Sequence, residues 1–310
     1  MSISNFLYRQ KQKWNYHFSE DDIEKKIAEI NRFEEHIKSG DNVYTIRELS
    51  FTIPQHKYDY VFSRYDLLIG NSRRLNGRYH IKEERLLFSW DIFNVNICNA
   101  GDLFLINEIF VEKCYQFRLP KKNRINVIDI GMNVGVASLY FASLPYVKNV
   151  YGYEPFKPTF DLAVNNLSIN PDLSSKIKIE NFGLGAHEKT MEIPYHEDNP
   201  GLNKSKAEDH GNEKSVIKER IIIKTAISEI NHILNKNPNE DFIIKIDTEG
   251  AEYEIIDNIS IKKLDERIIG FMIEWHNEGS DQIEKFLLKE KFKLFSFILN
   301  KNTGMVYAFR

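Results

Sequence analysis

The second half of the chain alternates short apolar runs with segments in which apolar residues recur every three or four positions. The apolar runs predict buried β-strands, and the periodic segments predict α-helices. Strands separated by helix-length segments form parallel sheets, so the pattern predicts an α/β fold with a doubly wound, mostly parallel sheet. The predicted strands are 125–130, 149–153, 176–181, 242–247 and 268–275, and the helices between them are 134–144, 156–169, 250–258 and 280–290.

Further elements surround this sheet. The segments 292–298 and 304–309 are joined by a short polar turn and predict an antiparallel C-terminal hairpin. Gly183-Leu184-Gly185 predicts a turn, and the polar composition of residues 196–218 predicts a mobile loop. The remaining predicted elements are a hairpin strand at 190–195, a strand at 220–225 and a helix at 227–234.

The first hundred residues have a different pattern. A helix over 20–38 is predicted by the capping residue Ser19, the terminating Gly40 and one apolar stripe, which serves either as a packing face or as a dimer seam. Asn76-Gly77 predicts a hairpin turn. Short strands are predicted at 42–46, 49–53, 58–62 and 85–98. We therefore expect a small α+β accessory module over 1–101, followed by a main domain over 102–310.

Composition narrows the functional classes. The net charge of -3 argues against nucleic acid as the main partner. Cys98 and Cys114 have the spacing of neither a metal knuckle nor a redox pair. The N-terminus is polar, and no apolar run approaches the roughly 20 residues that a membrane helix needs. These features predict a cytoplasmic protein without a membrane span.

Polar residues follow the first three predicted strands, at the sheet edge where α/β proteins bind ligands. Near the end of the first strand, Asp129 precedes Gly131-x-Asn133-x-Gly135, whose glycines permit a sharp turn and close approach of a ligand. Glu154 after the second strand can accept hydrogen bonds from a ribose diol. Asn181 and Phe182 after the third strand could bind an adenine ring, although Phe182 is equally a core residue.

Two further strands end in acidic residues and a histidine. Asp247 should lie at the tip of strand 242–247. Glu274 lies on strand 268–275 and His276 directly follows it. The two residues are two positions apart, so their side chains point to the same face of the sheet. A histidine beside carboxylates is a candidate general base or metal ligand. Glu249 and Glu252 fall in the first turn of the predicted helix, where the dipole favours acids, so for these two we favour a structural role.

Taken together, these motifs resemble the FkbM family of S-adenosylmethionine-dependent methyltransferases over about residues 102–299. The Lys-Ile-Asp-x-Glu-Gly-Ala-Glu string is the most specific match. The matching segments are 107–111 with Tyr115, 127–135, 152–155, 165–167, 183–185, 245–252 and 274–276. Two positions depart from the family pattern: Met132 is bulkier than the usual residue in the glycine turn, and Thr225-Ala226-Ile227-Ser228 replaces a Thr-Leu-Asp string.

The resemblance implies a Rossmann-like methyltransferase fold with S-adenosylmethionine as the methyl donor. It implies that the glycine turn, including Gly131, Asn133 and Gly135, surrounds the methionine moiety. It also implies that Glu154 binds the ribose and that Asn181 and Phe182 lie near the adenine. We add Asp129 to the candidate cofactor-binding residues because it ends the strand before the turn.

The predicted reaction is O-methylation of a hydroxyl of a sugar, glycan or related small molecule, with His276 as general base and Asp247 and Glu274 orienting it or the acceptor. Alternatively, these three residues hold Mg²⁺ or Mn²⁺, although nothing in their spacing demands a metal. Two other functions stay open: a non-catalytic module that binds S-adenosylmethionine or a nucleotide, and a nucleotide-dependent oxidoreductase. The 20–38 helix is the candidate seam of a homo-oligomer.

Overall fold

The computed structural model describes residues 43–54, 57–117, 124–196 and 216–310, together with part of 24–35. The chain divides into two compact units, Met1–Val111 and Glu112–Arg310. The division falls after the π-helix that ends at Val111, later in the chain than the predicted boundary at residue 101. Among the described residues, no helix is both long and apolar enough to cross a membrane.

The first unit contains short strands and helices. A two-stranded antiparallel sheet pairs β1 with β2, and a three-stranded antiparallel sheet has the order β3-β4-β5. The strands are β1 (Val43–Ile46), β2 (Phe51–Pro54), β3 (Arg78–Lys82), β4 (Arg85–Trp90) and β5 (Phe93–Asn96). The helices are two 3₁₀-helices (Arg47–Leu49 and Asp59–Arg64), α1 (Tyr65–Leu75), α2 (Ala100–Ile106) and a π-helix (Asn107–Val111).

Three local predictions in this unit are wrong. Residues 85–98 are predicted as one strand, but the structure has two, β4 and β5, which pair with each other in antiparallel fashion. Residues 58–62 are predicted as a strand, but the structure has a 3₁₀-helix over Asp59–Arg64 that runs into α1. The residues buried here recur with helical spacing rather than alternating: Tyr58, Val61, Phe62 and Tyr65. Asn76 does not form a hairpin turn. It adopts a left-handed conformation (φ 52°) as the C-cap of α1, a conformation that asparagine tolerates well.

The described residues within the predicted 20–38 helix are helical. They are Glu24, residues 27–29, residues 31–33 and Glu35. Buried Glu29 accepts a hydrogen bond from the Tyr44 hydroxyl at 2.8 Å, which ties this segment to β1. Ser19, Gly40, the stripe residues Ile23, Ile30 and Ile37, and residues 197–215 of the predicted loop lie outside the described residues.

The second unit is built on a seven-stranded sheet with the order β14-β15-β13-β12-β6-β7-β8. Its strands are β6 (Ile125–Ile130), β7 (Val147–Tyr153), β8 (Ile177–Glu180), β12 (Asp241–Ile246), β13 (Ile268–His276), β14 (Lys293–Asn300) and β15 (Thr303–Phe309). All pairs are parallel except those of the C-terminal β14–β15 hairpin. The helices are α3 (Val136–Ser143), α4 (Lys157–Ser168), α5 (Pro171–Ser174), α6 (Ala226–Lys236), α7 (Glu252–Ile259) and α8 (Asp281–Lys289). The predicted doubly wound α/β fold is thus confirmed.

A second, three-stranded sheet of the order β10-β11-β9 contains β9 (Gly183–Gly185), β10 (Lys189–His196) and β11 (Val216–Thr225). The predicted turn at residues 183–185 is therefore wrong, because these residues pair in parallel with β11. A Cβ atom added at Gly183 or Gly185 would lie 2.7 or 2.9 Å from the Ile223 side chain. The glycines permit close packing of the two strands here rather than a turn.

The arrangement of the large sheet determines where a ligand can bind. Every residue of β6 is buried, including Asn126 and Asp129. β6 pairs in parallel with β7 on one side and with β12 on the other, so the order of the strands reverses beside β6. In open α/β sheets, ligands bind at the carboxyl ends of the strands beside such a switch point.

Candidate active site

The loop between β6 and α3 begins the site. The backbone N–H groups of Gly131 and Met132 both donate to the carbonyl of Tyr153, at 3.1 and 3.0 Å. Gly131 has a φ of +79°, and a Cβ atom placed on it would overlap the backbone carbonyl oxygen of Asp247. Only glycine therefore allows β6, β7 and the segment after β12 to meet this closely.

Glu154 holds the same loop from the end of β7. Its carboxylate accepts hydrogen bonds from the backbone N–H of Asn133 (3.1 Å) and of Phe156 (3.0 Å). Burial raises the pKa of Glu154 to about 7, although both hydrogen bonds favour the ionised form. Asn133 has a left-handed backbone, and its side-chain oxygen is buried with no hydrogen-bond partner among the described residues. This oxygen is an acceptor that a bound ligand can satisfy.

The other side chains of the loop are fixed by packing. Asn166 of α4 donates to the carbonyl of Val134 at 2.9 Å. Met132 is buried, and its sulfur would lie 2.5 Å from a Cβ atom added at Gly152 of β7. The bulk of Met132 is thus accommodated above a glycine of the neighbouring strand.

Asn181 and Phe182 follow β8 and lie beside the end of β7. The Asn181 amide donates to the carbonyl of Glu154 at 3.0 Å. Phe182 is buried, its ring centroid lies 5.3 Å from that of Tyr153, and the Lys224 ammonium lies 3.8 Å from its centroid. The structure therefore places Asn181 next to Glu154 and Phe182 next to Tyr153, and Phe182 serves as a core residue.

A buried ion pair lies beneath the glycine turn. Lys245 of β12 is 2% exposed and lies 3.0 Å from the fully buried Asp129 carboxylate. It also donates to the carbonyl of Gly131 at 2.6 Å. The Ser138 hydroxyl donates to the other Asp129 oxygen at 2.6 Å. Burial alone would lower the pKa of Lys245, but the charges of Asp129 and Asp247 and the hydrogen bond to Asp129 outweigh it and raise that pKa. Asp129 thus faces Lys245 and Ser138, with none of its surface exposed.

Asp247 lies at the tip of β12 and is half-buried. Its carboxylate accepts a hydrogen bond from the Tyr115 hydroxyl at 3.3 Å and lies 3.5 Å from the Lys245 ammonium. Its backbone N–H donates to the carbonyl of Ile130 at 3.0 Å. Asp247 therefore connects the buried ion pair with the accessible end of the sheet.

His276, at the end of β13, is oriented by Glu252. The imidazole Nδ1 lies 3.0 Å from Glu252 Oε1, and the backbone N–H of His276 donates to the same oxygen at 2.6 Å. Glu252 is fully buried and also accepts from the Gly250 N–H (2.8 Å) and the Thr248 hydroxyl (3.1 Å). These bonds hold the imidazole in one orientation.

The other ring nitrogen of His276 faces two carboxylates. His276 Nε2 lies 3.6 Å from Glu249 Oε2 and 3.7 Å from Glu274 Oε1. Asp247, Glu249 and His276 each offer one ligand atom, and these three atoms lie within 4.8 Å of one another. The prediction that Glu249 belongs to a helix is wrong: α7 begins at Glu252, and Glu249 has a φ of +54° in the preceding turn.

Electrostatics in this cluster favour a charged imidazole. Burial alone would lower the pKa of His276. The hydrogen bond to Glu252 and the charges of Glu249, Glu252 and Asp247 outweigh burial and raise the pKa to about 9.

Comparison with known proteins identifies the family. The family model described as the methyltransferase FkbM domain matches residues 129–298, more than half of the chain. The chain belongs to the FkbM methyltransferase family. This confirms the resemblance seen in the sequence, and the matched region contains the glycine turn, Glu154, Lys245 and the cluster around His276.

Individual relatives of this FkbM-family chain are distant. Methyltransferase 1 of Beauveria bassiana (strain ARSEF 2860) is 25% identical over 203 residues, which cover 57% of this chain and 80% of the relative. Methyltransferase sdnD of Sordaria araneosa is 24% identical over 211 residues, covering 61% and 80%. The solved structure of methyltransferase FkbM from Methylobacillus flagellatus KT is 14% identical, covers 80% of this chain and 60% of that one, and has a TM-score of 0.42.

Three residues of the site were not among the candidates from sequence. Lys245 falls inside an apolar strand, where the pattern indicates only a core position. Glu249 and Glu252 were given a structural role because acids are generally common at helix starts. All three belong to the Lys-Ile-Asp-x-Glu-Gly-Ala-Glu string, which is the signal that could have identified them.

Proposed function

We propose that this FkbM-family protein is an S-adenosylmethionine-dependent O-methyltransferase that acts on a hydroxyl of a sugar, glycan or related small molecule. One observation carries the proposal. A loop with an unsatisfied buried acceptor, Asn133 Oδ1, is bonded to Glu154 on one side of the strand ends, and the acid–histidine cluster lies on the other. This arrangement supports a cofactor site beside an acceptor site.

The residues at the glycine turn suit the cofactor. We assign Gly131, Asn133 and Gly135 to the methionine moiety, Glu154 to the ribose, and Asn181 and Phe182 to the adenine. Bound S-adenosylmethionine supplies an activated methyl group, so the protein's own residues need mainly to align the acceptor and remove its proton. For Asp129 we propose a positioning role, because its carboxylate is held by Lys245 and Ser138.

On the acceptor side, His276 remains the candidate general base, with Asp247 and Glu274 orienting it or the acceptor. The base must be uncharged to take up the hydroxyl proton, whereas the pKa of His276 is about 9 in the protein without ligands. A positive charge bound beside the cluster lowers this pKa, because it disfavours a second positive charge. A cationic donor held at this edge of the sheet would thus favour the proton-accepting form of His276.

Replacing His276 should slow turnover strongly and leave cofactor binding intact. We expect His276→Ala to lower kcat by roughly 10² to 10⁴-fold, the range for loss of a positioned acid–base group. The affinity for S-adenosylmethionine, measured by calorimetry, should stay within about twofold. His276→Gln guards against misfolding because its amide can still donate to Glu252, and His232→Ala, on the exposed face of α6, is the control. Unchanged turnover in His276→Ala contradicts a base role.

Cofactor affinity should depend on the ionisation of Glu154. The pKa of Glu154 is about 7, raised by burial and by Asp129, and opposed by the Phe156 and Asn133 N–H groups and by Lys245. The ionised form accepts hydrogen bonds on both oxygens, so affinity should fall as the pH drops through 7, by up to about tenfold per pH unit. Calorimetry across this range measures the effect. In the same series Glu154→Gln should show little pH dependence. Any dependence that remains in this variant comes from ionisation of the cofactor itself and is subtracted.

The test of the function is transfer of a labelled methyl group from S-adenosylmethionine to a panel of sugars, glycans and hydroxylated small molecules. Transfer to a hydroxyl that is lost in His276→Ala supports the proposal. Cofactor binding without transfer to any acceptor supports the non-catalytic module instead, and binding of a nicotinamide nucleotide in its place supports the oxidoreductase. Cytoplasmic location and a homo-oligomer stay predictions.

A further inference from the structure

The cluster beside the proposed acceptor site combines a histidine with several carboxylates in a particular arrangement. Of its three central residues, His276 is buried and Asp247 and Glu249 are half-buried. Their ligand atoms come from two strand ends and one turn, and they lie within 4.8 Å of one another. The cluster is therefore a mixed nitrogen and oxygen set rather than a group of surface acids.

We propose that Asp247, Glu249 and His276 bind one first-row divalent cation, for which Mn²⁺ is the probe. Two protein ligands that share an ion at about 2.1 Å lie about 3 to 4.2 Å apart. The 3.6 Å between His276 Nε2 and Glu249 Oε2 falls in this range, and all three ligand atoms lie within 4.8 Å of one another, so a small side-chain movement completes the set. One imidazole with two carboxylates suits a first-row divalent cation better than Ca²⁺, which prefers oxygen ligands only, and Mn²⁺ is the member of that row that best accepts carboxylates and gives a direct spectroscopic signal.

The hydrogen bonds behind the cluster are the independent support for this site. A metal-binding histidine commonly donates its other ring N–H to a carboxylate, which fixes the ring orientation. His276 Nδ1 has this partner in Glu252 at 3.0 Å, and Glu252 is itself fixed by the Gly250 N–H and the Thr248 hydroxyl. The ring is thereby held with Nε2 facing Glu249 and Glu274, at a side chain that is 95% buried.

Asp247 is supported in the same way, by the Tyr115 hydroxyl at 3.3 Å and by Lys245 at 3.5 Å. Glu274 Oε1, 3.7 Å from His276 Nε2, is placed to contact a water or hydroxyl on the ion. The existence of the cation site does not depend on the proposed function, but the role of the cation in methyl transfer rests on it. In that role the bound cation would lower the pKa of the acceptor hydroxyl, Glu274 would take up its proton, and His276 would serve as a ligand in place of the base role proposed above.

Titration of the full chain with Mn²⁺, followed by the loss of the free-ion signal in electron paramagnetic resonance, tests the site directly. We expect one ion per chain, and weakening by at least about tenfold in Glu249→Gln and in His276→Gln. Glu188→Gln removes an exposed carboxylate elsewhere and should bind as the wild type does. Circular dichroism of each variant checks that it is folded.

Two results would overturn the inference: no Mn²⁺ binding to the wild type, or binding that Glu249→Gln and His276→Gln leave unchanged. A parallel calorimetric titration with S-adenosylmethionine separates this inference from the proposed function. If the protein binds no Mn²⁺, and cofactor binding and methyl transfer persist with a chelator, only the cation site is contradicted. If the protein binds Mn²⁺ but not S-adenosylmethionine, the proposed function is contradicted and the cation site is supported.

Discussion

Gly131→Ala should destabilise the protein strongly and abolish cofactor binding. The new Cβ would overlap the backbone carbonyl of Asp247, and neither strand end can move away because β6 and β12 are paired along their whole length. A left-handed backbone costs a non-glycine residue about 1–2 kcal/mol, and overpacking adds about 1–3 kcal/mol. We therefore expect a loss of about 2–5 kcal/mol in the free energy of unfolding, measured by urea denaturation.

A matched glycine separates the overlap from the backbone strain. Gly279 has nearly the same φ (+81°, against +79° at Gly131), but nothing lies within 4 Å of a Cβ atom added there. Gly279→Ala should lose only the strain energy, about 1–2 kcal/mol, and should still bind S-adenosylmethionine. Equal losses in the two variants would contradict the close approach at Gly131.

Removing Lys245 should have the second large effect. Lys245→Met leaves the fully buried Asp129 carboxylate without its counter-ion and the Gly131 carbonyl without its donor. Breaking a buried pair in this way costs about 3–5 kcal/mol, because an uncompensated charge stays in the core. Denaturation should show this loss, and the affinity for the cofactor should fall because Lys245 holds the glycine turn.

An exposed pair in the same sheet is the control for Lys245. Lys148 of β7 pairs with Glu240, and its side chain is 44% exposed. Lys148→Met should cost no more than about 1 kcal/mol. The double variant Asp129→Asn with Lys245→Met removes both charges and should recover part of the loss. A double variant less stable than Lys245→Met alone would show that Asp129 is not stabilised through Lys245.

The second unit could be predicted well from the sequence because its apolar pattern marks the residues that are buried between the sheet and its helices. β6 is buried at all six positions, and α8 has an apolar stripe that packs on the sheet. The same logic predicts that polar residues after β6, β7 and β12 meet at one edge, where the structure places Asn133, Glu154 and Asp247.

Other features depend on contacts between segments that are distant in the chain. Lys245 is interpretable only with Asp129 opposite it, since a lone lysine in an apolar run has no visible partner. Glu252 is an ordinary first-turn acid until His276 is found 3.0 Å from it. Tyr58–Phe62 has strand-forming residues, but tertiary packing places it in a 3₁₀-helix. These are the points at which local propensity yields to packing.

The most direct test of the account is calorimetric titration of S-adenosylmethionine, and of its demethylated product, into the wild type, Glu154→Ala and Glu180→Ala. Glu180 ends the neighbouring strand β8 but is exposed, so its replacement should leave affinity unchanged. We predict that the wild type binds and that Glu154→Ala loses about 1–3 kcal/mol of binding free energy, the range for unpairing buried polar groups. Absence of binding to the wild type, or equal binding by Glu154→Ala, would contradict the proposed cofactor site.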